Sequence, residues 1–257
     1  MVLIQKGTVK DIPFLMAEKR ENTGKSLPLF IFIHGYTSAK EHNLHFAYSL
    51  AEKGFRVILP DALHHGERIL SNPPKSMDYD FWNIVHQGIQ DVNAIIDWAN
   101  DNELVTEDQI AVGGTSMGAI ITYGSLVNNP EIKAGCALMG TPAHEKFARW
   151  QIERIQKAGY EIPLTTNELE KSMTYIKEYD LTSNIEKLND RPLFIWHSEV
   201  DAVIPYEFAK PYVETLTKNS QSVYMNDKTS GHKVSRAAYL NAVEWITEQL
   251  KVKKETV

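Results

Sequence analysis

Gln109-Ile110-Ala111-Val112-Gly113-Gly114-Thr115-Ser116-Met117-Gly118 is the stretch on which the reading of this chain turns. Residues 109–112 form a short apolar run that stops at a glycine pair. Residues 116–127 then carry a helical pattern. A strand that turns directly into a helix is the building unit of an α/β sheet. Gly114 and Gly118 lie two positions either side of Ser116, where they let the chain pack closely at a tight turn. Such a turn lifts the serine Oγ above the sheet edge, beside the free N–H groups and partial positive charge of the helix N-terminus.

The same alternation extends in both directions. Apolar runs at 29–33, 55–59, 136–139, 193–196 and 222–225 read as further strands, and most end at Gly, Pro or His. Near-continuous runs of this kind suit parallel strands covered on both faces. Helical patterns at 44–53, 81–100, 206–217 and 235–250 separate or follow them. Residues 7–20 read as antiparallel strands at one edge. The prediction is a mostly parallel, doubly wound α/β sheet in one domain spanning residues 1–257. Residues 142–187 interrupt the alternation with a long, polar, helical stretch. It reads either as a cap over the strand ends or as surface helices on the sheet edge. Its length favours the cap, because segments this long in compact domains tend to be functional.

Composition narrows the function. The net charge of −6 argues against a surface that tracks nucleic-acid phosphates. A single cysteine, Cys136, excludes an internal disulfide. The opening residues Met1 to Lys6 lack a secretory apolar stretch, and no apolar run reaches membrane-span length, so a cytoplasmic protein without a membrane partner is expected. No phosphate-binding glycine loop occurs apart from the serine turn, so no nucleotide cofactor is expected.

Ser116 matches the central position of G-x-S-x-G. A serine hydroxyl is a poor nucleophile until a base takes its proton, so a histidine and a carboxylate are required. On a strand–turn–helix site of this type they follow in the order serine, acid, histidine. Of nine histidines, His144, His197 and His232 come after Ser116. His144 falls in the cap segment. His197 ends a strand, with no strand-end acid between it and the serine. His232, in Ser230-Gly231-His232, remains. The acid belongs just past the 193–196 strand, where Glu199 and Asp201 compete. Asp201 is preferred because Ala202-Val203-Ile204-Pro205 would hold it in place. It would fix the His232 tautomer and stabilise the imidazolium. Charge developing on a substrate carbonyl oxygen needs aimed N–H donors. Met117, directly after the serine, supplies one. The loop His34-Gly35-Tyr36-Thr37-Ser38 supplies the other, assigned to the Tyr36 N–H, with His34 read as a buried structural histidine.

Taken together, these residues resemble the α/β-hydrolase superfamily, and most nearly bacterial carboxylesterases of the dienelactone-hydrolase and prolyl-oligopeptidase branch. The stretches that carry the likeness are His34 to Ser38, Pro60-Asp61-Ala62-Leu63-His64-His65-Gly66-Glu67, the serine pentapeptide, Asp201 to Pro205, and Gly231-His232. The resemblance implies an eight-stranded sheet, no cofactor, and hydrolysis through an acyl-enzyme. Dienelactone hydrolases use cysteine as nucleophile. This chain has serine there, and Cys136 reads as a core residue. A cap after the 136–139 strand also resembles cinnamoyl and feruloyl esterases.

The resulting expectation is a serine carboxylesterase acting on a small ester, as a monomer or homodimer. A thioesterase, a small peptidase, and a non-catalytic binding protein on a hydrolase scaffold are the competing readings. A binding protein of that kind usually loses a member of the Ser116, Asp201, His232 set. Metal catalysis is not expected, because His42 with His45 and His64 with His65 do not make a convergent set of three or four ligands. Phe81, Trp82, Trp150 and Tyr175 read as core aromatics.

Overall fold

The computed structural model describes residues 1–69, 77–218 and 221–250. Among them eight strands make one sheet: β1 (Val2–Val9), β2 (Ile12–Lys19), β3 (Leu27–Ile33), β4 (Arg56–Pro60), β5 (Val105–Thr115), β6 (Ala134–Leu138), β7 (Leu193–Ser198) and β8 (Val223–Asp227). Their spatial order is β1-β2-β4-β3-β5-β6-β7-β8. The β1–β2 and β2–β4 pairs are antiparallel, and every pair from β4–β3 to β7–β8 is parallel. The helices are α1 (Leu44–Ala51), α2 (Phe81–Asp101), α3 (Met117–Asn128), α4 (His144–Lys157), α5 (Thr166–Glu178), α6 (Lys210–Leu216) and α7 (Arg236–Gln249). Among the described residues no helix is long and apolar enough to cross a membrane.

All seven residues of β3 are buried, because the sheet is covered on both faces. Successive side chains on a strand point to opposite faces. Leu29, Ile31 and Ile33 therefore join α2 and α3 in one core, while Phe30 and Phe32 join α1 and α7 in the other. Cys136 lies in the second core, fully buried.

Two elements differ from the sequence reading. The edge strands begin at Val2 rather than at residue 7. β1 is an outer strand whose middle residues face solvent, so its apolar signal is weak. The helix expected over 206–217 is a 3₁₀ turn, Tyr206–Phe208, followed by the short α6. Pro211 has no N–H to give back to residue 207, so one continuous helix cannot form and a new one opens at the proline.

Within residues 142–187, α4 and α5 pack together through Ala148, Met173 and Ile176, with Trp82 of α2 against them. α5 opens on a capping box, in which the Thr165 side chain and the Glu168 carboxylate each accept from the other residue's backbone N–H. Where this segment returns to the sheet, buried Arg191 donates to the carbonyls of Leu188 and Asn129 (both 2.8 Å) and Ile132 (3.0 Å). It also reaches the carbonyls of Leu126 and Lys187. The end of α3, the approach to β6 and the approach to β7 are thereby tied to one guanidinium.

Candidate active site

Ser116 stands between β5 and α3 with φ +54° and ψ −115°, a region that a residue with a Cβ seldom enters. Its N–H is held by the Leu138 carbonyl at 2.9 Å. The turn is tight enough to exclude side chains on either side. A Cβ at Gly118 would lie 2.1 Å from the Ile33 carbonyl oxygen, and one at Gly114 would lie 2.5 Å from the Gly118 carbonyl carbon. The two glycines thus let α3 start directly against the end of β3. Oγ is left facing away from the sheet while the residue as a whole stays buried.

Asp201 follows β7 and His232 follows β8, so two neighbouring strand ends carry the partners. His232 Nε2 lies 2.8 Å from Ser116 Oγ, and His232 Nδ1 lies 2.7 Å from Asp201 Oδ2. The other carboxylate oxygen, Oδ1, accepts from the Val203 N–H (2.8 Å) and the Ile204 N–H (3.0 Å). Burial opposes ionisation of Asp201, but the bonds from His232, Ile204 and Val203 outweigh it and hold its pKa below the ordinary carboxylate value. Glu199, the competing acid, is exposed and accepts from the Asn226 side chain at 2.5 Å. His197 Nε2–H donates to the Ile204 carbonyl (2.8 Å), with Nε2 3.6 Å from the Asp201 carboxylate. His144 is buried at the start of α4. The structure therefore brings together Ser116, Asp201 and His232.

The loop after β3 runs beside the serine. A Cβ on Gly35 would sit 3.5 Å from Ser116 Cβ, so Tyr36 enters the immediate surroundings of the hydroxyl. Met117, the other residue read as a donor, is the first of α3. Two histidines set this loop. His34 Nδ1–H donates to the Gly35 carbonyl (2.8 Å), and its Nε2 accepts from the Ala62 N–H (3.0 Å). His65 Nδ1–H donates to the Leu63 carbonyl (2.8 Å), and its Nε2 accepts from the Thr37 N–H (3.0 Å). Each ring is needed as a neutral imidazole with one donor and one acceptor. Burial agrees with that, pushing His34 down to about 4 and lowering His65 as well. Beneath them Asp61 Oδ2 binds Lys40 Nζ at 2.5 Å and accepts from the Glu67 N–H at 2.9 Å. Gly66, at φ +52°, sits so close to Asp61 that a Cβ would come within 2.1 Å of the carboxylate. The Pro60 to Glu67 stretch is thus a brace for the Tyr36 loop.

A cavity of about 1180 Å³ opens from Ser116. One side is formed by Tyr36 and Phe81, and the other by α4 and α5, through residues such as Phe147, Trp150, Leu169 and Met173. Here the sequence reading needs correction: Phe81, Trp82, Trp150 and Tyr175 all line the cavity rather than serving only as core. The available signal was the spacing of Phe147 and Trp150, which puts them on one face of a helix next to a serine site. Residues 142–187 are tied to α2 by Trp82 Nε1–H to Gln151 Oε1 (2.9 Å) and by a Tyr175–His86 hydrogen bond.

Residues 83–253 match the prolyl oligopeptidase family. The chain belongs to that family. This prolyl oligopeptidase family member is 40% identical over 255 residues to YitV of Bacillus subtilis (strain 168), whose name carries the word esterase; 97% of this chain and 100% of that one are covered. It is 32% identical over 224 residues to the Escherichia coli (strain K12) protein named "Esterase YjfP", covering 86% of this chain and 87% of that one. The crystal structure of TT1662 from Thermus thermophilus has the same fold, with a TM-score of 0.75 at 16% identity, covering 98% of this chain and 100% of that one. The architecture is the α/β-hydrolase fold, and the chain is a serine hydrolase related to esterases.

Proposed function

We propose that this prolyl oligopeptidase family member is a carboxylesterase in which Ser116 is the nucleophile, His232 the general base and acid, and Asp201 the residue that orients the histidine. The observation that carries the reading is the unbroken pair of contacts on His232, Nε2 to Ser116 Oγ at 2.8 Å and Nδ1 to Asp201 Oδ2 at 2.7 Å. Asp201, held ionised, accepts from Nδ1–H. Nε2 is then left unprotonated, facing the hydroxyl it must deprotonate.

Ser116 Oγ attacks the ester carbonyl carbon as its proton passes to His232 Nε2. The carbonyl oxygen takes the negative charge and is met by the Met117 and Tyr36 N–H groups. The tetrahedral intermediate collapses, the C–O bond to the alcohol breaks, and His232 gives its proton to the departing alkoxide. Water then attacks the acyl-enzyme, losing a proton to His232. Collapse returns the serine hydroxyl and frees the carboxylic acid. Residues 142–187 act as a cap inserted in a single α/β-hydrolase domain, shaping the space in which the ester lies.

Ser116→Ala should fold as the parent does and lose kcat by on the order of 10⁶-fold on p-nitrophenyl butyrate. A fluorophosphonate probe should label the parent at Ser116 and leave the variant unlabelled. Retention of more than a few per cent of the activity would reject Ser116 as the nucleophile.

A further inference from the structure

The cavity beside Ser116 is larger than a small ester needs, and its wall has a definite chemistry. Pockets for drug-sized ligands occupy roughly 300–1,000 Å³, and this one holds about 1180 Å³. Among the described residues of its wall Arg154 is the one charged side chain, and its guanidinium already lies 4.7 Å from the Trp150 ring centroid. Much of the remaining wall on α4 and α5 is aliphatic or thioether, including Ile152, Leu169, Met173 and Ile176. Phe147 and Trp150 leave no slot between them for a flat ring. They stack on each other, with centroids 5.5 Å apart and planes at 22°. The indole N–H of Trp82, which could have met a phenolic oxygen, is committed to Gln151. Of the wall residues, Tyr160 and Leu164 are 66% and 47% exposed, so the cavity that holds Ser116 also reaches solvent beside large, mainly apolar side chains.

The two halves of an ester are also separated here. The leaving alcohol must end within hydrogen-bond reach of His232 Nε2, which protonates it. Among the described residues His232 is not part of the cavity wall, and its side chain is 22% exposed. Tyr36, proposed above as a donor to the carbonyl oxygen, is part of the wall, as is Ser116. The alcohol therefore departs on the open side of His232, and the acyl group points into the cavity.

Resting on the esterase reading above, we propose that the site takes esters of uncharged aliphatic acids of medium to long chain, with the acyl chain laid along α4 and α5 toward Tyr160 and Leu164. The test is kcat/KM for p-nitrophenyl acetate, butyrate, octanoate and dodecanoate, with a parallel set of butyrates of lengthening alcohols. A phenolic arm uses ferulate esters. The expected result is a rise of roughly tenfold or more from butyrate to octanoate, since each buried methylene favours binding severalfold, and a change of under about threefold along the alcohol series. Met173→Trp narrows the cavity and should lower the dodecanoate-to-butyrate ratio about tenfold. Ser172→Phe, at a half-buried position on the same wall, should lower that ratio in the same direction even if the tryptophan variant fails to fold. A fall in kcat/KM from acetate onward, a steeper dependence on the alcohol, or a preference for ferulate overturns the acyl-chain proposal while leaving the esterase reading intact. Absence of turnover on every ester overturns both.

Discussion

At the scale of single residues, Asp201 and Glu199 are separated by what holds them. Asp201 is buried and receives two loop N–H groups as well as His232, whereas Glu199 is exposed and receives an asparagine amide. Asp201→Asn should lower kcat by on the order of 10⁴-fold, because the amide leaves the imidazole in the wrong tautomer. Glu199→Gln should change it only severalfold, and steady-state kinetics on one ester compares the two. What the sequence made legible is the loop itself, through the apolar pair and proline after Asp201, which mark a segment pinned to the core. The sequence could not show the paired roles of His34 and His65, which depend on two loops meeting across the sheet. Those roles carry a pH signature. Burial lowers His34 to about 4, so the unfolded chain binds its proton more readily than the folded one. The stability this group contributes is full above its unfolded pKa of about 6.5 and is lost as pH falls toward 4. Between pH 8 and pH 5 the loss from His34 alone should be on the order of 2 kcal/mol. Urea titrations at the two pH values measure it, and His34→Gln should flatten the difference.

At the scale of elements, the strands easiest to read were those buried on both faces. β3 and β7 show as unbroken apolar runs because helices cover them on both sides. β1 was read short because an edge strand keeps polar residues toward solvent. The 206–217 helix was read too long because apolar periodicity continues through Pro211 although the hydrogen-bond ladder cannot. Residues 142–187 were legible as a break in the strand–helix alternation, but not as the wall of a cavity: apolar residues on a helix look alike whether they meet a core or an empty space. The β5–α3 junction offers the sharpest test at this scale. Gly118→Ala puts a methyl group 2.1 Å from the Ile33 carbonyl oxygen, so β3 and α3 must separate. Overpacking of this kind costs about 1–3 kcal/mol. The expected outcome is a lower Tm together with a loss of kcat far beyond what a few degrees explain, since Ser116 moves with the start of the helix. Thr165→Ala, which breaks the α5 capping box, should lower stability by about 1 kcal/mol and leave the serine turn alone.

At the scale of the whole molecule, one side chain closes several layers. Arg191 spends its guanidinium on backbone carbonyls from α3 and from the approaches to β6 and β7. Burial lowers its pKa, as expected for a cation held by neutral acceptors. Arg191→Met would leave those carbonyls unpaired inside the protein and should cost on the order of 3 kcal/mol or more, read from the urea midpoint. Arg191→Lys should recover little, since one ammonium cannot reach so many acceptors. Nothing in the linear sequence marks this residue, because its partners come from distant turns. The placement of β8 has a different consequence. Ser116 sits at the centre of the sheet, while His232 hangs from the outermost strand, which pairs on one side only and is half-buried along most of its length. Peripheral strands open more readily than central ones. Warming should therefore silence turnover reversibly while the far-ultraviolet circular dichroism is still that of the intact protein, as the imidazole drifts off a serine that has not moved.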